Sequence, residues 1–164
     1  MFESKDENSN LKLIDFGLSM SYYKMDKSTG KQGNVVRMKT RAGTAFFMAP
    51  EVISHDYTES CDIWSAGVML YIMLWGYPPF YGESDQEILE AVVNGEYDFE
   101  DEVWDNVSDS AKDLISKCLI GEKERLSPKE ALAHPWVKDL ENNTTIPNEH
   151  LHRLKNFQKA KKLK

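Results

Sequence analysis

The apolar segment at residues 61–75 leaves this chain few possible folds. Apolar side chains occupy nearly every face of a helix drawn through it: Ile63, Trp64, Val68, Met69, Leu70, Ile72, Met73 and Leu74. A helix that is hydrophobic all round is buried inside a protein or spans a membrane. The longest near-continuous apolar run, residues 66–75, falls short of the roughly 20 residues needed to cross a bilayer. We therefore expect no membrane span, and a helix buried on all sides with other elements packed around it.

Three further helices are indicated downstream of this segment. Residues 84–95 begin with a capping box, Ser84-x-x-Glu87, and end at a glycine, a common C-terminal stop. Residues 108–119 carry apolar side chains at helical spacing. Residues 127–130 combine a capping box with proline at the first helical position. The chain is therefore predicted to be mainly α-helical.

The remaining segments predict a short β element and a domain boundary. Residues 11–14 alternate apolar and polar side chains, which is typical of a short strand. Residues 19–41 lack periodicity and are expected to form a long surface loop. The composition turns polar at residues 139–147. We therefore predict one domain over residues 1–140, followed at residues 141–164 by a linker and the start of a basic helix.

Charge is distributed unevenly along the chain. The net charge is −7, yet residues 150–164 hold six Lys or Arg and no Asp or Glu, so the preceding 149 residues carry 14 minus 27, or −13. Such an acidic body argues against nucleic acid as the main ligand. The basic tail is predicted to meet an acidic surface, either its own or a partner's, and a solvated terminus is the alternative.

The cysteine content agrees with a reduced environment. Cys61 and Cys118 lie far apart in sequence and show no metal-binding spacing, so neither a disulfide framework nor a zinc site is expected. No charged-then-apolar signal sequence opens the chain. We therefore expect a cytoplasmic location.

Three short motifs follow one another along the chain: Asp15-Phe16-Gly17, Gly43-Thr44 and Ala49-Pro50-Glu51. Alone, the first would more often be a chance strand-turn pattern, but in this order and spacing the three resemble the metal-holding, substrate-docking and anchoring motifs of Ser/Thr protein kinases. The resemblance implies part of the larger, C-terminal kinase lobe. It also implies that Asp15 holds the Mg²⁺ bridging the ATP phosphates, with Ile14 and Asp15 at the nucleotide.

The same resemblance assigns roles to four further residues. Thr44 would hydrogen-bond the catalytic aspartate and favour Ser or Thr acceptors; the alternative is a capping or turn threonine. Asp62 would accept backbone N–H groups of the catalytic loop; the alternative is a helix N-terminal charge stabilised by the macrodipole. Glu51 would pair with Arg125 as structural support.

A regulatory phosphorylation site is expected at Thr40. Many kinases carry an activating phosphothreonine at this distance before the Gly-Thr motif, and Lys39 and Arg41 flank it here. A phosphate orders a loop by pairing with basic side chains.

Residues 70–80 resemble the calmodulin-regulated branch of the kinases. Residues 148–164 resemble the start of the junction helix in calcium-dependent protein kinases of plants and protists, which leads into EF-hands. The resemblance implies calmodulin or a calmodulin-like domain as a partner at residues 148–164, with Ca²⁺ acting only through EF-hands outside this chain. The alternative is a solubilising C-terminal helix.

The implied reaction is transfer of the ATP γ-phosphate to Ser or Thr of a protein substrate, with Mg²⁺ as cofactor. The chain holds no glycine-rich loop, strand lysine or catalytic loop, so we expect the isolated fragment to be inactive. The alternative is a catalytically incomplete lobe that binds proteins through residues 77–87 and the basic tail. A DNA-binding helical protein is disfavoured by the acidic body. Partial exposure of Trp64, Leu70 or residues 11–14 is expected to promote self-association.

Overall fold

A computed structural model describes residues 3–4, 9–25, 32–139 and 153. This part of the chain contains two strands, β1 (Tyr23–Met25) and β2 (Gln32–Val35), 3-10 helices at Ala45–Phe47 and Glu102–Asn106, and six α-helices: α1 (Pro50–Ile53), α2 (Cys61–Trp75), α3 (Asp85–Asn94), α4 (Asp109–Cys118), α5 (Pro128–Ala133) and α6 (Pro135–Lys138). The predicted fold class, mainly α with a short β element, is confirmed.

Helix α2 lies at the centre of the core. Trp64, Val68 and Tyr71 on this helix are buried. Of the three places where partial exposure was expected, Trp64 is therefore covered, whereas Leu70 is half-buried and the apolar side chains of residues 11–14 are exposed. Helix α4 packs closely against α2. A Cβ atom at Gly67 would lie only 2.5 Å from the Cβ atom of Cys118, so the two helices can approach this closely because position 67 has no side chain.

One face of α2 is exposed, so the prediction of burial on all sides is wrong. Asp62, Ala66, Met69 and Met73 recur every three or four residues along this face, and Met69 and Met73 are 53% and 44% exposed. The described neighbours of α2 cover the opposite face, which holds Trp64 and the other buried side chains of the helix. An apolar helical sequence shows that a helix can be buried, but the surrounding elements decide which faces are covered.

An aromatic cluster attaches the segment between α3 and α4 to the core. The rings of Tyr71 and Trp104 have centroids 4.8 Å apart, and Phe99 meets Trp104 edge-on at 4.7 Å. The Tyr71 hydroxyl donates to the backbone oxygen of Asp98 at 2.9 Å. Buried aromatic pairs contribute about 0.5–1.5 kcal/mol beyond the area they bury, so this cluster holds the segment firmly on α2.

The predicted starts of α3, α4 and α5 are confirmed by their caps. The side-chain oxygens of Ser84, Ser108 and Ser127 each accept the backbone N–H three residues on. In α5 the capping box is complete, because the Glu130 carboxylate accepts the Ser127 N–H. Helix α3 ends at Gly95, whose φ of 71° is left-handed. Each N-cap stabilises its helix by about 1 kcal/mol.

The predicted strand at residues 11–14 is not formed. The segment contains a single bridge residue, and Leu13 is 88% exposed. The two strands lie instead in the predicted loop at residues 19–41, where β1 and β2 pair antiparallel with Tyr23 opposite Val35. Alternating apolar side chains favour a strand only where a neighbouring strand accepts its backbone hydrogen bonds.

No helix within the described ranges is long and apolar enough to cross a membrane. Apart from Arg153, the predicted second segment at residues 141–164 lies outside the described residues. The domain boundary therefore stays a prediction.

Candidate active site

Asp15 lies in a tight, exposed turn. Its backbone has a φ of 63°, and its Oδ1 atom accepts the Gly17 N–H at 3.3 Å. The turn is closed by Ser19, whose hydroxyl donates to the backbone oxygen of Phe16 at 2.7 Å. A left-handed backbone is uncommon outside glycine, but aspartate tolerates it because its short side chain bonds the local backbone. The geometry presents a carboxylate at the surface in a defined conformation.

A lone carboxylate fits one particular mode of magnesium binding. The described residues contain no group of three or more His, Cys, Asp or Glu that could hold a metal. Mg²⁺ commonly binds proteins through one or two carboxylates together with substrate phosphates, and it retains several waters. Asp15 is suited to this mode, and Ile14 beside it is 55% exposed, as an apolar contact for a nucleotide would be.

Thr44 begins the 3-10 helix Ala45–Phe47 but does not cap it. Its side chain makes no capping hydrogen bond, so the capping alternative lacks geometric support. The turn alternative stays open, because the Thr44 backbone oxygen accepts the Phe47 N–H at 3.0 Å. Gly43 before it has a φ of 121°, a conformation that strongly favours glycine. The 3-10 helix is attached to α2 by the Ser65 hydroxyl, which donates to the Phe47 backbone oxygen at 2.8 Å. Thr44 is thereby held beside the N-terminal half of α2.

A cavity of about 430 Å³ brings Thr44 and Asp62 together. Ser65 lines the same cavity, and so do residues 18–20, which follow the Asp15 turn. Asp15 itself does not line it. The structure thus places Thr44 and Asp62 at one cavity, with Asp15 three residues before the segment 18–20 that also lines it.

Glu59 also lines this cavity and was missed by the sequence reasoning. Its Oε2 atom is buried and has no hydrogen-bond partner among the described residues. A buried carboxylate oxygen without a donor is costly, so such a group usually marks a place where a donor binds. The available sequence signal was a second carboxylate, three residues before Asp62.

Glu51 and Arg125 form a buried ion pair. Arg125 donates through Nη1 to Glu51 Oε1 and through Nη2 to Oε2, the latter at 3.1 Å. The same guanidinium donates to the backbone oxygens of Ser60 at 3.0 Å and Ile120 at 2.9 Å, and it lies over the Trp64 ring. With all of its donors directed at acceptors, Arg125 is buried without an unpaired charge.

A second ionic cluster anchors the segment before the Gly-Thr motif. Arg37 binds Asp56 at 2.9 Å and Glu122 at 2.8 Å, and Lys39 binds Asp56 at 2.5 Å. Hydrogen bonds from Lys39 and then Arg37 lower the pKa of Asp56. Burial raises the pKa of Glu122, but hydrogen bonds from Arg37 and Thr58 outweigh it, so the net shift is downward. These carboxylates therefore stay ionised and hold the segment at neutral pH.

Thr40 lies immediately after this anchored stretch. Its side chain is exposed, as are those of Lys39 and Arg41 on either side. Met38, two residues earlier, is fixed by paired backbone bonds with Tyr57 at 2.8 and 3.2 Å. The exposed side chain of Thr40 is accessible to a modifying enzyme.

Comparison with known proteins identifies the family. The profile of the protein kinase domain matches residues 1–137. This chain belongs to the protein kinase family. The kinase-family chain is 44% identical over 160 residues to calcium-dependent protein kinase 3 of Plasmodium yoelii yoelii, which covers 96% of the chain and 28% of that protein.

Two plant relatives show the same relationship. Calcium-dependent protein kinase 29 of Arabidopsis thaliana is 43% identical over 163 residues, covering 98% of the chain and 29% of that kinase. Calcium-dependent protein kinase 19 of Oryza sativa subsp. japonica is 40% identical over 166 residues, covering 100% and 29%. The resemblance to calcium-dependent kinases of plants and protists is therefore confirmed, and the chain spans less than a third of the length of these relatives.

Proposed function

We propose that this chain is part of a calcium-regulated Ser/Thr protein kinase that transfers the ATP γ-phosphate to proteins in the cytoplasm. The observation that carries the proposal is the cavity shared by Thr44 and Asp62, entered by the segment that follows Asp15. Gly43, Thr44, Ala49 and Asp62 line this cavity together, and residues 18–20, which follow the Asp15 turn, line it too. Two free cysteines, Cys61 and Cys118, agree with a reducing compartment.

Each group at the site has a chemical task in this proposal. Mg²⁺, when bound, neutralises charge on the ATP phosphates. Asp15 supplies the carboxylate that holds the ion, and Ile14 contacts the nucleotide. Thr44 orients the general base and the acceptor hydroxyl, which favours Ser or Thr over the longer Tyr side chain. Asp62 and Glu59 accept N–H donors of the loop that carries the base.

We propose that residues 1–164 alone transfer no phosphate. Phosphoryl transfer depends on positioning by a lysine at the phosphates, a general base and a second magnesium ligand, and we find none of these motifs within the chain. Fragment inactivity is tested by incubating the purified chain with Mg²⁺, labelled ATP and Ser/Thr peptides. Incorporation above background would contradict it.

The kinase proposal is tested on the protein that contains this segment in its native source. An antibody against residues 100–139 captures that protein for the assay. We expect phosphate transfer to Ser/Thr peptides and none to Tyr peptides. Recombinant Asp15→Asn should abolish transfer in that protein, whereas Glu100→Gln, a matched change of an exposed acid, should not. Equal activity of the two variants would refute the assigned role of Asp15.

Regulation is proposed at two places. Phosphate on Thr40 would attract Lys39 and Arg41 and order the segment before the Gly-Thr motif. A calmodulin-like domain or calmodulin would bind residues 148–164 as a basic helix, with Ca²⁺ acting through that partner. Phosphatase treatment of the captured protein tests the role of Thr40, and calcium chelation tests the role of residues 148–164. Either treatment applied alone should lower kinase activity.

Exposed apolar side chains favour a second candidate function, protein binding without catalysis. Leu13, Phe16 and Leu18 are 88%, 68% and 71% exposed, and Tyr81 in the proposed docking segment at residues 77–87 is 72% exposed. Exposed apolar patches commonly bind partners or promote self-association. If the captured protein binds peptides but transfers no phosphate, protein binding is favoured over kinase activity.

A further inference from the structure

A second cavity lies between α3 and the end of α1. Its volume is about 510 Å³, and it shares no lining residue with the cavity at Thr44 and Asp62. Arg41 and Ile53 line one side of this α1–α3 groove, and six residues of α3 line the other. Clefts of about 300–1,000 Å³ are the size that binds ligands, so the groove is large enough to hold part of a partner molecule.

Helix α3 presents apolar side chains to this groove as well as to the core. Ile88 and Val92 face the core and are 3% and 0% exposed. Leu89 and Val93 each follow one position later and line the groove together with Ile53 of α1. Val93 is 59% exposed, so this apolar patch is open to solvent at a concave surface. Removal of apolar surface from water is favourable, so the patch can accept an apolar side chain of a partner.

Charges of both signs line the groove beside the apolar patch. Arg41 lies on one side, and Asp85 and Glu90 lie on the α3 side. All three side chains are exposed, and none of them forms an ion pair with another described residue. The Gln86 amide donates to Glu90 Oε1 at 3.0 Å, which restrains this carboxylate. The opposite charges thus stay apart across the groove, and each can pair with a charge on a partner.

We propose that the α1–α3 groove binds a segment of a partner protein that carries an apolar side chain between an acidic and a basic side chain. The apolar side chain packs on the apolar patch, the acidic one pairs with Arg41, and the basic one pairs with Asp85 and Glu90. A segment of a single charge sign would place like charges together on one side of the groove, which disfavours it. Because the groove is separate from the candidate active site, this inference does not rest on phosphate transfer.

Short fluorescent peptides test this charge pattern on the full 164-residue chain. Three peptides share a central Leu flanked by glycine and differ only in charge: the mixed peptide carries Asp on one side and Lys on the other, the basic peptide carries Lys on both sides, and the acidic peptide carries Asp on both. Fluorescence anisotropy should show that the mixed peptide binds about two- to fivefold more tightly than either of the others, the range for partly exposed ion pairs. Equal affinities, tightest binding of the basic peptide, or no binding at millimolar concentration would overturn the proposal.

Arg41→Glu tests which residue of the chain recognises the acidic side chain. In this variant the preference should reverse, so that the basic peptide binds more tightly than the mixed peptide. Lys129→Glu on α5 is the matched control, because Lys129 is also an exposed cation but does not line the groove. This control should leave the order of affinities unchanged. The same order in Arg41→Glu as in the wild-type chain would show that the peptides bind elsewhere.

Val93→Ala tests the apolar patch. The variant should bind the mixed peptide about two- to fivefold more weakly, because less apolar surface is buried, and it should bind a mixed peptide with Ala in place of Leu as the wild-type chain does. Met69→Ala shortens an exposed apolar side chain of α2 outside the groove and should change neither affinity. Both variants should keep the wild-type midpoint of thermal unfolding. Equal losses of affinity for the Leu and Ala peptides in Val93→Ala would refute the apolar contact.

Discussion

Arg125 and Glu51 are 74 positions apart in sequence and form a two-point ion pair in the core. The pair joins α1 to the loop after α4, and the bond from Arg125 to the Ser60 oxygen adds the start of α2. The Arg125 side chain is fully buried and that of Glu51 is 9% exposed. Three parts of the chain thus depend on a single guanidinium for their relative placement.

Removal of either partner of this pair should strongly destabilise the fold. Glu51→Ala or Arg125→Ala leaves one buried charge unpaired, which costs about 3–5 kcal/mol. We expect each variant to unfold at much lower urea concentration than the wild-type chain, as measured by tryptophan fluorescence. The double variant should lose less free energy of unfolding than the two single variants lose together, because it leaves no unpaired charge.

An exposed pair provides the comparison for this experiment. Lys117 and Asp113 lie 2.6 Å apart, but both side chains are 49% exposed. Lys117→Ala should cost only about 0.3–0.5 kcal/mol, as for other helical pairs on a surface. If Lys117→Ala and Glu51→Ala lowered the free energy of unfolding by similar amounts, burial would not explain the stabilising effect of the core pair.

Gly67→Ala should destabilise the contact between α2 and α4. The new methyl group would lie 2.5 Å from the Cys118 Cβ atom and 3.1 Å from Leu119 Cδ2, so the helices must separate. Overpacking of this kind costs about 1–3 kcal/mol, which outweighs the gain in helix propensity from alanine. The midpoint of thermal unfolding should fall. Gly121→Ala, whose methyl group would meet only the Glu124 carboxylate at 3.6 Å, should change it little.

Both cysteines should react slowly with alkylating reagents in the folded chain. Burial raises the pKa of Cys61 to about 12 and that of Cys118 to about 11. The reactive species is the thiolate, so at pH 8 the folded thiols should react at least about 100-fold more slowly than in urea, where the pKa is about 8.5. Iodoacetamide labelling followed by mass spectrometry measures both rates. Equal rates in the two states would contradict the raised pKa values of the two thiols.

The same shifts determine how stability changes at alkaline pH. Because the folded pKa values lie above the unfolded value, the stability that these thiols contribute is complete below about pH 8.5 and is lost as the pH rises through 11 to 12.

Asp113→Asn should destabilise the chain more at neutral pH than in acid. Hydrogen bonds from Lys117 and then His134 lower the pKa of Asp113. Because His134 Nδ1 accepts the Trp136 N–H, its Nε2 carries the proton donated to Asp113 at 2.9 Å. The stabilisation is complete above about pH 3.9 and is lost as the pH falls through the lower folded value.

Urea unfolding at pH 7 and pH 2.5 measures this difference. The gap between Asp113→Asn and the wild-type chain should be larger at pH 7 than at pH 2.5. A gap of equal size at both values would refute the assignment, and the exposed-acid variant Glu100→Gln should show none at either pH.

The sequence alone determined the features that depend on neighbouring residues. The caps at Ser84, Ser108 and Ser127 join residues three positions apart, so a short pattern contains both partners. The kinase family was also readable from the sequence, because its motifs are contiguous and their order does not depend on packing.

Features that join distant residues were decided only by the tertiary structure. The exposed Met69 and Met73 face of α2 depends on which elements cover the helix, and apolar composition cannot specify that. The unpaired oxygen of Glu59 could not be inferred from sequence for the same reason. The strand predicted at residues 11–14 failed because none of the described strands pairs with this segment. Burial and pairing are properties of the assembled chain, whereas capping and periodicity are local.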